Sequence, residues 1–185
     1  MNRIEENFTR EKNNRRSSMK EHMETLRDLA TDCSHVTEFG VNRVGSTWAF
    51  VLGCKGKVVS YDIRKRDEVG LAEEICKEEG IDWTFIMASD LEVEIEPTDM
   101  LFIDTLHCGT HLTKELNLHE GKVKKYIVMH DTVTFGYHGQ VSNRTAKRFA
   151  GNGLWEAVEE FMKKGVWKIK KHYTNCHGLT ILERV

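Results

Sequence analysis

The sequence predicts a doubly wound α/β domain: a mostly parallel sheet of seven strands with helices on both faces. Three observations carry this expectation. Strand-like and helix-like segments alternate about five times along the 185 residues, which implies right-handed crossovers between parallel strands. The segment Met100-Leu-Phe-Ile-Asp104 is almost wholly apolar, as in a parallel strand buried on both faces. The chain ends on two more strand-like segments joined by a tight Asn175-Cys-His-Gly178 turn, which makes them antiparallel.

Each element follows from local pattern. Residues 1–17 read as a polar, basic tail, with Arg3, Arg10, Lys12, Arg15 and Arg16 against Glu5, Glu6 and Glu11, and only Ile4 and Phe8 large and apolar. A frayed tail is expected, with a flap over a ligand site or an oligomer arm as alternatives. Ser18 and Glu21 fit a capping box. Met19, His22, Met23, Leu26, Leu29 and Ala30 then recur at helical spacing, so a helix is placed at 18–31. The first strand is 36–41, a helix covers 46–53, and the second strand is 57–62. A charged helix at 67–79 buries Val69, Leu71, Ala72, Ile75 and Cys76, and Gly80 caps its end. Strands at 82–87 and 100–104, a helix at 109–119 and a strand at 126–130 follow. The polar stretch 131–152 is long for a compact domain and reads as a substrate lid or a plain disordered insertion, and Arg144, Lys147 and Arg148 suit an anionic substrate or a solvated charge run. Leu154, Trp155, Val158, Phe161 and Met162 mark a helix, and strands at 166–173 and 178–183 complete the domain, which spans 18–185.

Composition excludes several functions. Lys plus Arg is 27 and Asp plus Glu is 29, a net charge of −2, which argues against a coat for nucleic-acid backbones. No run reaches the ~18 apolar residues of a membrane span. Five cysteines, an odd number with no CxxC pair, and no apolar N-terminal segment predict a reducing, cytoplasmic setting. Pro97 is the sole proline and precedes Thr98, so the Pro-Pro-aromatic and Pro-Cys motifs of DNA-base methylases are absent.

In such sheets ligands sit beyond the carboxyl ends of the strands, so the residues after strands one to five are the candidates. After strand one, Glu38-Phe-Gly40 leads through Gly45 to Ser46 and Thr47. A phosphate loop would need a lysine that is missing here. A GxGxxG dinucleotide turn is spoiled by Asn42 and Arg43. S-adenosylmethionine sites tolerate looser glycine patterns, with an acid two before the first glycine, where Glu38 stands. Asp62, after strand two, can accept ribose hydroxyls, or be an ordinary surface acid. Ser89 and Asp90, after strand three, suit an adenine edge or a plain loop. Asp104 with His107 follows strand four, and His130 with Asp131 follows strand five. The two carboxylates suit a hard cation such as Mg²⁺, and His107 is placed as a general base; otherwise Asp104 and Asp131 are helix caps. A zinc site from His107, Cys108 and His111 would need Cys33, Cys176 or His177 at no conventional spacing.

Taken together, Glu38-x-Gly40 through Ser46, Phe102-Ile-Asp104-x-x-His107, Met129-His-Asp131-Thr and Thr174-Asn-Cys-His-Gly178-Leu-Thr resemble class I S-adenosylmethionine-dependent methyltransferases. The likeness covers residues 20–185 and is greatest to the small-molecule O-methyltransferase branch of macrolide-sugar and cephalosporin-hydroxylase-type proteins. It implies a Rossmann-like sheet of seven strands, one of them antiparallel. It implies Glu38, Gly40 and Ser46 at the methionine end of the cofactor, Asp62 at the ribose, and Ser89 and Asp90 at the adenine. It further implies Mg²⁺ on Asp104, His130 and Asp131, and His107 deprotonating a hydroxyl of a small-molecule acceptor. The chain departs from the pattern with His130 in place of an acid, and with Asn42 and Val44 where glycines are common. A homo-oligomer is expected, and no nucleic-acid or membrane partner. Two other functions compete: a binding or interaction module of the same fold that has lost catalysis, and a methylase of nucleic-acid ribose hydroxyls.

Overall fold

The computed structural model describes residues 2–140 and 152–185. Among them seven strands form one sheet: β1 (His35–Phe39), β2 (Lys57–Asp62), β3 (Trp83–Met87), β4 (Thr98–Ile103), β5 (Val123–His130), β6 (Trp167–Tyr173) and β7 (Leu179–Arg184), in the order β3-β2-β1-β4-β5-β7-β6. The first five pair in parallel, and β7 runs antiparallel to both β5 and β6. The expected doubly wound sheet with a closing hairpin is therefore present.

Helices α1 (Arg3–Lys12), α2 (Met23–Thr31), α3 (Thr47–Gly53), α4 (Asp67–Glu78), α5 (Gly109–His119) and α6 (Leu154–Met162) cover its faces. Period-two alternation divides the core. Met100 and Phe102 of β4 and Tyr126 and Val128 of β5 face the cluster under α1 to α4. Their neighbours Leu101, Ile103, Ile127 and Met129 face the cluster under α5 and α6. A strand buried on both faces needs apolar residues at every position, and β4 has them from Met100 to Ile103.

The N-terminal segment is corrected. It is a docked helix rather than a frayed tail. Asn2 and Glu5 form a reciprocal capping box. Ile4 and Phe8, one helical turn apart, are 2% and 6% exposed, and Arg27 lies over the Phe8 ring at 5.4 Å. A single apolar pair is a weak periodic signal, and only the groove offered by the rest of the chain gives it a partner. The capping box expected at Ser18 and Glu21 does not form. Ser17 Oγ accepts from Met19 N–H, Glu21 accepts from Asn175, and α2 starts later, at Met23. Leu71 is 45% exposed, because it lies two residues from Val69 and so on the far side of α4. β1 stops at Phe39, since Gly40 leaves the strand at φ +84°.

The strand order reverses between β1 and β4, on either side of which the chain winds in opposite directions. A crevice opens at such a point, beyond the carboxyl ends of the two strands. Gly40 and Asp104 flank it. Gly40 N–H donates to the Tyr61 carbonyl and Asp104 N–H to the Phe39 carbonyl, each at 2.9 Å. A Cβ on Gly40 would sit 2.0 Å from the Asp104 carbonyl oxygen, so only glycine allows this approach.

Candidate functional site

The crevice holds a cavity of about 460 Å³, within the ~300–1,000 Å³ range of small-molecule sites. One wall is the turn from Gly40 to Ser46 with Asp104; the other includes Glu11, Arg16 and Met19. The N-terminal segment thus takes the flap position rather than that of a free tail.

Behind this wall lies Glu38, fully buried. Ser46 Oγ donates to its Oε1 (2.5 Å), while Thr47 Oγ1 and Ser60 Oγ donate to its Oε2 (2.8 and 2.6 Å). Trp83 Nε1–H donates to Ser60 Oγ in turn (2.9 Å). Burial pushes Glu38 up to about 7, against the three hydroxyls that favour its charged form. Ser46 and Gly40 line the cavity, and Glu38 stands one layer behind them.

Asn42 and Val44 hold positive φ, 46° and 57°. Asp62 braces this turn. Its Oδ2 accepts from the N–H groups of Val41 and Asn42, and its Oδ1 from that of Arg64, all at 2.9 Å. A carboxylate has about four acceptor positions, and these three N–H groups occupy most of them. The structure assigns Asp62 a clamp role that spacing alone did not suggest.

Ser89 and Asp90 follow β3. Ser89 Oγ accepts from Leu91 N–H (3.3 Å). Asp90 turns toward α5, where its Oδ2 meets His111 Nε2 at 2.5 Å and its carbonyl accepts from His119 Nε2 (2.7 Å). Burial alone would raise Asp90, but the His111 hydrogen bond holds it low. Asp90, His111 and Glu115 present ligand atoms within 4.8 Å of one another. Glu115 accepts from Thr105 Oγ1 (2.7 Å), and burial raises it far above the usual carboxylate range. The sequence signal for this group is the i,i+4 spacing of His111 and Glu115 on one face of α5.

The ends of β4 and β5 bring together the remaining four residues. His107 Nε2 lies 3.0 Å from both Asp104 Oδ1 and Asp131 Oδ2. Asp104, His107 and Asp131 offer ligand atoms within 4.8 Å of one another. His130 Nδ1 is 3.6 Å from Asp104 Oδ2 and 3.4 Å from Asp131 Oδ2. Burial works against charge on both rings, but the two carboxylates prevail and raise His107 to about 9 and His130 to about 10. The same contacts overcome burial to hold Asp104 and Asp131 low. Asp131 takes φ 59°, a strained conformation for a non-glycine residue. The Phe135 ring stacks on His107 at 4.8 Å, and Gln140 Oε1 lies 3.0 Å from His107 Nδ1. This described part of the 131–152 stretch walls the centre; Arg144, Lys147 and Arg148 lie outside the described residues.

No protein-family model matches the chain, and no curated protein matches its sequence. Solved structures do match its fold. S-adenosylhomocysteine-bound Podospora anserina methyltransferase PaMTH1 aligns with a TM-score of 0.64 and 15% identity, over 98% of this chain and 87% of that one. The N-methyltransferase NodS from Bradyrhizobium japonicum, in complex with S-adenosylhomocysteine, aligns at 0.61 and 13%, over 98% of both. A Staphylococcus aureus protein provisionally assigned as a caffeoyl-CoA O-methyltransferase aligns at 0.66 and 15%, over 88% and 82%. The fold is that of these proteins. Among the described residues no helix is long and apolar enough to cross a membrane.

Proposed function

We propose that this protein is an S-adenosylmethionine-dependent methyltransferase acting on a hydroxyl of a small molecule. Asp104 and Asp131 would hold a divalent cation, expected to be Mg²⁺, and His107 would accept the hydroxyl proton. One observation carries this reading: Asp104 is both a wall of the crevice cavity and a member of the Asp104–His107–Asp131 group. A molecule in the cavity therefore abuts the proton-accepting centre.

The donor set suits a cation. Two carboxylates converge, and His130 Nδ1 is buried beside them with no hydrogen-bond partner among the described residues. When bound, S-adenosylmethionine supplies an electrophilic methyl on sulfur, and the cation lowers the pKa of a substrate hydroxyl.

This chain's own residues do the rest. The Gly40–Ser46 turn, braced by Asp62, fixes the floor of the cavity. Positioning two reactants in line is the larger part of methyl-transfer catalysis. Phe135 and Gln140 hold the His107 ring, the first by stacking and the second at Nδ1. Gln140 Oε1 accepts from Nδ1–H and the carboxylates accept from Nε2–H; a cation on Asp104 and Asp131 would remove that acceptor pair and lower the ring's pKa, leaving Nε2 free to take the substrate proton. The structural neighbours with bound S-adenosylhomocysteine support the cofactor assignment.

Calorimetric titration of S-adenosylhomocysteine, with Mg²⁺ and then with EDTA, tests the proposal. Micromolar binding, followed by methyl transfer to a catechol or sugar in a substrate panel, is the expected result. Absence of binding would leave the fold without this function.

A further inference from the structure

We propose that the centre at the ends of β4 and β5 selects a transition-metal ion over Mg²⁺, with His130 Nδ1, Asp104 and Asp131 as ligands. The inference rests on the cation site of the proposed function and names its metal class.

The His130 side chain is fully buried, and its Nδ1 has no hydrogen-bond partner among the described residues. The two carboxylates beside it favour the charged ring, and an ion would take the place of that proton. That nitrogen faces two carboxylate oxygens, at 3.6 and 3.4 Å. These separations are long for hydrogen bonds. They match the ~3.4 Å edge between two donors that each lie ~2.1 Å from one tetrahedral ion.

The far side of the ring points the same way. His130 Nε2 lies 3.1 Å from the Cys176 carbonyl oxygen. A carbonyl only accepts, so Nε2 carries a hydrogen, and Nδ1 is the nitrogen that faces the carboxylates and would exchange its proton for an ion. Metal-ligating histidines tie their second nitrogen in this manner. The carbonyl itself is held firmly. It sits in a turn where Cys176, His177 and Gly178 take φ 47°, 70° and 95°, and the buried His22 also lies on it, with Nε2 at 3.3 Å. The ring is therefore fixed from behind.

An imidazole donor changes the preferred ion. Mg²⁺ favours oxygen ligands and keeps its waters, whereas imidazole suits zinc, iron, cobalt and nickel. His107 remains the substrate-side group, because its side chain is 17% exposed and that of His130 is 0% exposed.

The test is calorimetric titration of the metal-stripped 185-residue chain with MgCl₂, MnCl₂, CoCl₂ and ZnCl₂. Co²⁺ and Zn²⁺ should bind about a hundredfold tighter than Mg²⁺, with Mn²⁺ between them. His130→Asp should bring Mg²⁺ to within about tenfold of Co²⁺. Should that variant fail to fold, histidine ¹⁵N spectra of the wild type decide: Zn²⁺ should shift His130 Nδ1 and leave Nε2 protonated. Equal affinity for Mg²⁺ and Co²⁺, or Zn²⁺ bound without moving the His130 signals, would overturn the metal class and spare the cation site. Binding of none of the four ions would overturn the inference and the cation site together. S-adenosylhomocysteine titrated into the same sample then shows whether the methyltransferase reading stands.

Discussion

Glu38→Gln should remove a large part of the pH dependence of folding. Glu38 is fully buried and pushed up to about 7, against about 4.5 for an ordinary glutamate. Below pH ~4.5 the carboxyl is protonated in folded and unfolded chains alike, and its contribution does not change with pH. Between ~4.5 and ~7 the folded chain retains a proton that the unfolded chain releases, so stability falls as pH rises through that window. The span of ~2.5 pH units at 1.36 kcal/mol each corresponds to about 3 kcal/mol. Glutamine resembles the neutral acid. Its amide can donate to Ser46 Oγ in place of the carboxyl hydrogen, while its carbonyl keeps the donors Thr47 and Ser60. Urea unfolding at pH 5 and pH 8, followed by the fluorescence of the four tryptophans, measures the difference between variant and wild type. That difference should move by about 2–3 kcal/mol in favour of glutamine from pH 5 to pH 8, since part of the full span lies below pH 5. The imidazoles of His107 and His130 are common to both proteins and cancel in the comparison. A difference that stays level between these pH values would refute the assignment of Glu38 as a group protonated by burial.

Four other outcomes are expected. His107→Ala should lower methyl-transfer turnover by ~10²–10⁴ with S-adenosylhomocysteine affinity nearly unchanged; lost affinity would rule out the base role. Gly40→Ala should destabilise the chain by ~2 kcal/mol or more and weaken cofactor binding, since φ +84° and the Asp104 carbonyl both exclude a Cβ; calorimetry and urea unfolding read the two effects. Phe8→Ala should cost about 3–5 kcal/mol if α1 is docked in solution, and a loss below about 0.5 kcal/mol in urea unfolding would mean that the segment is free. Asp62→Ala should weaken S-adenosylhomocysteine binding before it affects turnover, because the Val41 and Asn42 N–H groups lose their acceptor; unchanged affinity would count against the clamp.

Sequence by itself determined the strands, the helices from α2 onward and their order. The unbroken apolar run in β4, the helical stripe Val69, Ala72, Ile75 and Cys76, and the Asn175–Gly178 turn each report a local period or a local backbone demand. Such signals reside in neighbouring residues, so they are legible without contacts. The position of the site was legible for a related reason. In a doubly wound sheet topology alone places the strand ends together: Gly40, Asp104, His107 and Asp131 follow strands, and His130 ends β5. Partner choice was not legible. Asp62 braces a turn 20 and 21 residues away, Asp90 meets His111 21 residues on, and Ile4 and Phe8 find the cluster under α1 to α4. A carboxylate takes whichever donors the fold brings within about 3 Å, and an apolar pair stays buried only where a groove receives it. Both conditions are set by packing between distant segments, and only the tertiary structure decides them.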